Sequence, residues 1–584
     1  MQVPSVSEAH SNSLYAGLPD DPAEALKWLV GLPNHIDCAG LKPLLQQRVE
    51  SGNAMRWTVA LGYLHWRLED PARALECYQQ ALPGMEADAT FQLLRGMAAR
   101  KLPDQHHIAE AAYERALELD PRRPDAHYNL GNLYREDRPL DAERCYRASL
   151  NLSPNQPMCW HNYGILLLHE LRLPEACHAL NNSLRLAPDG ASAWCNLSLV
   201  KYSERRMEQA RRAALRVIAL EPALPDATPD QAIEFWEKGG TLSNDTTDAL
   251  WDLALVFLST GDYRNGWRYY EVRFSTKNCV PSEVPTSGPR LRCLADAPGP
   301  GEPPLVVWSE QGLGDAIQFG RYVSLLAAAG VPFEVHCRKA LLNLFREWFG
   351  LGERAVLEKQ RTDPDDHRPH ASLMSLPHLF GSDLCTLPSV MPYLRPPGVT
   401  PAHLQVATPP GGLSVGLVWA ANPRNKAMYR HKSMPLRLLM PRLLDLLEMD
   451  LIDLHSLQFG EDRAQLDPYR NHERITDWSE VIDDFAETAH VVRQLDLVIT
   501  VDTAVAHLAA ALNRPTWVLL HRNSDFRWLL DGSDSPWYPG CLRLFRQVDH
   551  GDWDSVIKAV HTAVDDLFLL DFAAVKAGRM GHQI

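Results

Sequence analysis

The sequence predicts an α-helical solenoid followed by an α/β half built as two doubly wound lobes. Three observations predict it. A 34-residue period runs through the first half: Trp160 and Trp194, Pro154 and Pro188, Pro188 and Pro222, and Ala176 and Ala210 each lie 34 positions apart. From about residue 303 short apolar strands alternate with helices, the signature of doubly wound sheets. Between them, at 308–321, WSEQGLGDAIQFGR, an apolar run breaks at Gly312 and Gly314 and resumes as a helix. That strand–turn–helix unit brings backbone N–H groups to a ligand-facing edge.

Composition narrows the function classes. At about 150 residues per domain, 584 residues suggest three to five domains. The hydrophobic content of 45% and charged content of 22% are ordinary for globular protein. A formal charge of −15 argues against a nucleic-acid partner, which needs a basic face. The opening residues lack a basic segment leading into an apolar run, which predicts no signal peptide. No stretch approaches about 18 uninterrupted apolar residues, which predicts no membrane span. The eleven cysteines are scattered without a CxxC pair and fit reduced thiols in a cytoplasm.

Taken in order, residues 1–50 read as a helical segment and 51–225 as the repeat array. Clear units occupy 124–155, 157–189 and 191–223; looser ones occupy 57–82 and 91–121. A displaced unit, 249–274, follows a break rich in Pro, Asp and Thr at 221–247, and 226–302 reads as that last repeat plus a linker. Leu130-Gly131-Asn132-Leu133-Tyr134 carries an LGxxY spacing, and with the closing prolines the pattern resembles the tetratricopeptide repeat. A single helix pair cannot bury its apolar face, so neighbours stack and leave a concave groove. Such a groove suits an extended peptide or partner protein; the alternative is that the array only supports the second half or dimerises. Asn129, Asn162 and Asn196 recur about one period apart on first helices. They are candidates for a ladder that hydrogen-bonds a peptide backbone, or are simply polar helix positions.

The first lobe, 303–395, reads as strand 305–308, helix 315–329, strand 333–337, helix 339–349 and strand 355–357, then a polar loop at 359–370 and the segment 371–381. The proline-rich stretch 388–410 reads as a linker, with the boundary between lobes at 396–412. The second lobe, 413–570, reads as strand 414–419, polar loop 422–433, helix 436–447, strand 451–457, helix 480–495 and strand 496–501. A turn at Asp502-Thr503, helix 504–512, strand 516–520 and a terminal helix 553–570 that crosses back to the first lobe complete it. Residues 571–584 read as a tail. Two such lobes form a cleft, with ligands at the carboxyl ends of the strands.

EQGLGDAIQFGRY (310–322), SVGLVWAANPRNK (414–426) and DLVITVDTAVAHLAAALNRPTWVLL (496–520) together resemble glycosyltransferase family nine, the lipopolysaccharide heptosyltransferases. The whole chain is similar to bacterial proteins that fuse such a domain behind tetratricopeptide repeats, and in architecture to O-GlcNAc transferase. The resemblance implies the two-lobed type-B fold with Rossmann-like lobes, a nucleotide-sugar donor, inversion at the anomeric carbon, and no metal or other cofactor. It implies Asp315 as general base, although a carboxylate at that place also serves simply to cap its helix. Asp502, Thr503 and His507 match the donor-site segment. Lys432 falls where a lysine meets the donor phosphates, with Arg424, Lys426, Arg430 and His431 as alternatives. Gly312, Gly314, Gln311 and Gln318 form or flank the first loop, beside acceptor or donor or at plain surface. Heptosyltransferases lack the repeats, and this chain is acidic, so a protein acceptor is favoured over a lipopolysaccharide.

An inverting displacement needs one base, worth about 10²–10⁴-fold, and stabilisation of the leaving diphosphate by cations and a helix amino terminus. Asp502 would repel a phosphate, so its expected role is to cap the helix or bind a sugar hydroxyl. His507 is expected to reach the diphosphate or sugar, or else to pack. Trp528, Trp537 and Tyr538 either line a nucleotide pocket or anchor a loop. Asp363-Pro364-Asp365 has DxD spacing, but a proline separates the acids in a charged loop, and His367, His370 and His378 lack the i, i+4 spacing of a zinc pair. Two rivals remain: a transferase acting on a glycolipid or saccharide with repeats for assembly, and a repeat scaffold without activity.

Overall fold

The computed structural model describes residues 17–33, 36–51, 54–276, 284–358, 361–407, 412–423 and 426–570. The chain forms two compact units, one ending at Asn196 and the other beginning at Leu197.

The first unit is a stack of helix pairs: Ala54–Arg67 with Pro71–Met85, Ala89–Arg100 with His106–Leu119, Pro124–Tyr134 with Pro139–Leu152, and Pro157–His169 with Leu173–Leu186. Helices Pro22–Gly31 and Lys42–Ser51 precede them. Proline opens several of these helices, where its missing N–H is an orphan anyway. The glycine of the LGxxY spacing has a packing cause. A Cβ on Gly131 would lie 2.8 Å from the Tyr146 ring, and one on Gly96 would lie 2.5 Å from Tyr113. The bare first helix lets the aromatic ring of the second helix close the pair. Ala74, Ala109, Ala142 and Ala176 are fully buried on the second helices.

The second unit begins within the helix Ala191–Ser203 and continues with the helices Met207–Ala219, Pro229–Glu237, Asn244–Ser259 and Tyr263–Tyr270. The expected break at 221–247 is therefore folded. Thr228 and Gln231 form a capping box on Pro229–Glu237, and buried Glu221 accepts hydrogen bonds from the Ser243 N–H (3.0 Å) and hydroxyl (2.8 Å).

Two parallel sheets follow. In the first lobe β1 (Leu305–Trp308), β2 (Phe333–Cys337), β3 (Ala355–Leu357) and β4 (His370–Ser372) lie in the order β3-β2-β1-β4. In the second, β5 (Leu413–Val418), β6 (Ile452–Ser456), β7 (Ile475–Asp477), β8 (Leu497–Val501), β9 (Thr516–Leu520) and β10 (Leu542–Arg546) lie in the order β10-β9-β8-β5-β6-β7. These are the two Rossmann-like lobes of the type-B architecture behind a helical solenoid. Strands β1, β5, β8 and β9 are buried on both faces and are largely apolar, as parallel strands between helices must be.

Several elements differ from the sequence reading. The helix expected at 315–329 starts at Leu313 and is interrupted by a 3₁₀ turn at Gly320–Tyr322, where a Cβ on Gly320 would come within 2.7 Å of the Phe349 ring. The loop expected at 422–433 contains the helix Lys426–Lys432. The helix expected at 480–495 is shorter, Phe485–Val492. The terminal helix Trp553–Leu570 does not cross to the first lobe: Trp553, Val556, Ile557 and Val560 share one apolar core with β5, β6 and β8 of the second.

The last helix pair of the solenoid packs into the α/β half. Trp267 meets Phe319, Phe526 and Trp537 edge-on at ring separations of 5.5, 5.6 and 6.2 Å. Trp537 Nε1 donates to the Tyr263 hydroxyl at 2.9 Å. Arg273, wholly buried, is held by both carboxylate oxygens of Glu310 at 2.6 and 2.8 Å and by Glu271 at 2.7 Å. Glu310 lies two residues before Gly312, so this pair fixes the loop that follows β1.

Candidate functional site

The first contribution comes from that loop. Gly312 is the amino-terminal cap of the Leu313–Phe319 helix, and Asp315 Oδ2 accepts the Gly312 N–H at 2.8 Å. Asp315 does cap its helix, yet its other oxygen is engaged elsewhere: Oδ1 accepts from Arg527 Nη2 of the second lobe. Burial raises the Asp315 carboxyl above its ordinary value, against the opposing pull of Arg527.

The second contribution comes from the sheet order. The chain runs outward from β5 through β6 to β7, then returns to the other side of β5 with β8, β9 and β10. The carboxyl ends of β5 and β8 therefore flank the switch point, where open α/β sheets leave a crevice. Lys432 comes from the segment after β5 and Asp502 directly follows β8. Their side chains meet across the crevice, Nζ to Oδ2 at 2.6 Å, both largely buried. Burial favours the neutral acid, but the Lys432 ammonium overrides it and holds Asp502 well below the ordinary carboxylate range. The Asp502 side chain thus orients a cation; it is not the helix cap expected from sequence. Thr503 occupies the cap position of Ala504–Ala511 without a side-chain capping bond, and its hydroxyl lies 3.0 Å from that of Thr500.

His507 is packed, the second of the two roles open for it. It is buried, its Nδ1 lies 2.8 Å from the Tyr538 hydroxyl, and its ring stacks on Trp528 at 5.2 Å. Burial pushes its pKa down to about 3, which keeps the ring neutral. It also marks where the lobes close. A Cβ on Gly314 would come 2.8 Å from His507 Cδ2 and 3.2 Å from Ala504 Cα, so only glycine fits there. Trp528, Trp537 and Tyr538 are fully buried and anchor their loop, the second of the two roles open for them.

The third contribution was missed from sequence. After β9, the turn Phe526–Trp528 carries Arg527, whose Nη1 lies 2.5 Å from Asp525 and whose Nη2 pairs with Asp315. Asp525 also acts on Lys432. Asp315, Arg527, Asp525, Lys432 and Asp502 thus form a cluster of alternating charge that joins both lobes. His521, at the end of β9, is buried beside Lys432 and Asp502 and is pushed down to about 4 by burial. The stretch DFRW offered a signal in its acid and arginine, one residue apart after an apolar strand, but its aromatics drew the reading instead.

Other sequence candidates fall outside this cluster. The Gln311 amide is 3.4 Å from the Tyr270 hydroxyl, and Gln318 is fully buried and is no surface residue. Arg430 is exposed, Lys426 lies in the helix after β5, and Arg424 lies outside the described residues. In the solenoid, the Asn129 amide donates to the Asp125 carbonyl, Asn162 to Tyr128 and Asn132, and Asn196 to the Ser192 carbonyl. Each of these amides thus commits at least one donor within the repeats. His370 accepts from Trp308 Nε1 at 3.3 Å inside the first sheet. Asp363 Oδ1 accepts the Asp365 N–H at 3.1 Å, a turn within the loop. Among the described residues, no group of three or more His, Cys, Asp or Glu is placed to hold a metal ion, and no helix is long and apolar enough to cross a membrane.

Comparison with known proteins bears on both halves. Residues 59–105 match the tetratricopeptide repeat family and 109–137 a TPR repeat family. Residues 484–527 match glycosyltransferase family 9 (heptosyltransferase). That last match spans Asp502, Thr503 and His507 and ends at Arg527. No curated protein matches the chain significantly. Among solved structures, it is similar to PilW, a widely conserved type IV pilus biogenesis factor, at 17% identity over 38% of this chain and 93% of that one, TM-score 0.31. It is also similar to YrrB, a TPR protein with an unusual peptide-binding site, at 20% identity over 33% and 97%, TM-score 0.27. MamA from Desulfovibrio magneticus RS-1 gives 17% identity over 29% and 96%, TM-score 0.27. The chain thus joins tetratricopeptide repeats, a module of protein interaction, to a region similar to a glycosyltransferase domain.

Proposed function

We propose that the second unit moves a sugar from a nucleotide-sugar donor to a hydroxyl of a protein recruited by the repeats, in one inverting displacement without a metal ion, in the cytoplasm. One observation carries the reading: the Asp315 carboxylate of the first lobe meets a cationic cluster at the β5–β8 crevice of the second. In this reaction the acceptor oxygen attacks the anomeric carbon, its proton passes to Asp315, and the bond to the diphosphate breaks with its electron pair. Burial raises Asp315 toward the basicity that proton removal needs. Lys432, oriented by Asp502, and the amino terminus of Ala504–Ala511 take up the charge of the leaving diphosphate. The family match over 484–527 supports sugar transfer, and the repeats support a protein as acceptor.

The test is a panel of UDP-, GDP-, ADP- and CMP-linked sugars with EDTA present, reading thermal shift and nucleotide release for wild type and Asp315→Asn. Stabilisation of both by one donor, with release only by wild type, is the expected result. No shift with any donor would leave the inactive scaffold as the better reading. Release that required Mn²⁺ would overturn the metal-free mechanism. Labelling of lipid or saccharide acceptors in place of protein would overturn the acceptor class.

A further inference from the structure

The inference concerns Arg527 and rests on the sugar-transfer reading above. The Arg527 side chain is only 7% exposed. Its guanidinium is fixed in three ways. Nη2 pairs with Asp315, Nη1 lies 2.5 Å from Asp525, and the rings of Phe526 and Phe319 lie 4.6 and 5.5 Å from its central carbon. The remaining nitrogen, Nε, is buried and has no hydrogen-bond acceptor among the described residues. Folded proteins rarely leave a buried charged N–H unmatched, because its desolvation is then uncompensated. His521 Nε2, in the same cluster, is likewise buried without a partner among the described residues. An arginine N–H donor and an imidazole nitrogen of one charged pocket thus lack partners among the described residues, while Asp315, Asp525 and Asp502 are each paired with a cation.

We propose that Arg527 binds the diphosphate of the donor through its Nε–H, while Asp315 and Asp525 hold its other two nitrogens. One guanidinium then joins the leaving group to the base. Its planar fork is what such a bridge requires; a lysine ammonium is a point charge and cannot satisfy three partners in one plane. Arg527 is so a donor-binding residue that also positions Asp315. The two carboxylates preorganise it, which spares the ordering of a long side chain when the donor arrives. Lys432, held by Asp502, supplies the second positive charge to the same diphosphate.

The experiment is isothermal titration of the full chain, with EDTA, against the nucleoside, monophosphate and diphosphate of uridine, guanosine, adenosine and cytidine. Wild type is expected to bind at least one diphosphate. Arg527→Lys and Arg527→Gln are expected to weaken that diphosphate by tenfold or more and the matching nucleoside by less than threefold. Thermal unfolding is read alongside, and the lysine variant carries the test if the glutamine variant does not fold. Unchanged diphosphate binding in both variants would overturn the inference, as would an equal loss for nucleoside and diphosphate, which would mark Arg527 as packing only. A wild type that bound no nucleotide would instead sink the transferase reading, and this inference with it.

Discussion

Arginine bridges two carboxylates in both units, in opposite surroundings. In the solenoid, Arg138 joins Glu110 to Asp141 and Arg172 joins Glu143 to Glu175, with the arginine side chains 48% and 34% exposed. In the second unit, Arg527 joins Asp315 to Asp525 and Arg273 joins Glu271 to Glu310, with exposures of 7% and 0%. Exposed pairs contribute about 0–1 kcal/mol and are screened by salt. Buried pairs are weak evidence of net stability, since desolvation offsets much of their attraction, but removing one partner strands a charge. The exposed bridges tie neighbouring repeats loosely. The buried ones fix where particular atoms sit, and both are within a few residues of the loop after β1 or the turn after β9.

That contrast can be broken in four ways, from the largest expected effect to the smallest. Asp315→Asn should lower sugar transfer by about 10²–10⁴-fold at saturating donor, measured by product release at a temperature where the variant is folded, with a lowered thermal midpoint because Arg527 keeps only Asp525. An equally inactive but unfolded variant would mean the carboxylate serves structure alone. Glu310→Gln strands Arg273 and should destabilise the second unit by about 3–5 kcal/mol in urea; a cost below about 1 kcal/mol would put this pair in the same class as the exposed bridges. Asp252 sharpens the comparison as a buried acid without an ion-pair partner among the described residues. It lies beside Ser198 with Asp248 nearby, and burial pushes it up to about 8 from 3.8. A folded-state value above the unfolded one means stability is full below pH 3.8 and is lost as pH rises toward 8. Asp252→Asn should therefore match wild type near the acid end and exceed it by roughly 1–3 kcal/mol at the alkaline end of a pH series of melts. Arg172→Ala, last, should cost under about 1 kcal/mol and respond to salt.

What could be read in the sequence follows from distance along the chain. The repeats were legible because a helix pair writes its packing into 34 consecutive residues. Strands β1, β2, β5, β8 and β9 were legible because burial on both faces makes short apolar runs. β4, β7 and β10 escaped: His370–Ser372 and Ile475–Asp477 are three residues each with little apolar signal, and Leu542–Arg546 alternates with arginine. Asp315 and Asp502 stood out as acids in the turns that follow strands, and Lys432 only through the family resemblance, with four alternatives beside it. Their partnerships did not. Asp315 and Arg527 are 212 residues apart, and Tyr263 and Trp537 are 274 apart, so no local pattern records them. The packing of His507 was hidden for a related reason: Trp528 and Tyr538 reach it only after folding.

Tyr263, Trp267 and Arg273 look like the end of a repeat, yet they complete the core of the neighbouring lobes. The unit of inheritance is thereby shifted. A recombination event that exchanged solenoids at the apparent boundary near 303 would leave Trp537 and Phe526 without their cover and Glu310 without its cation. Arg205 also pairs with Asp531 and Asn523 donates to Ser203, so only a crossover upstream of Leu197 transmits this unit intact, and the helices Met207–Ala219 to Tyr263–Tyr270 travel with the lobes.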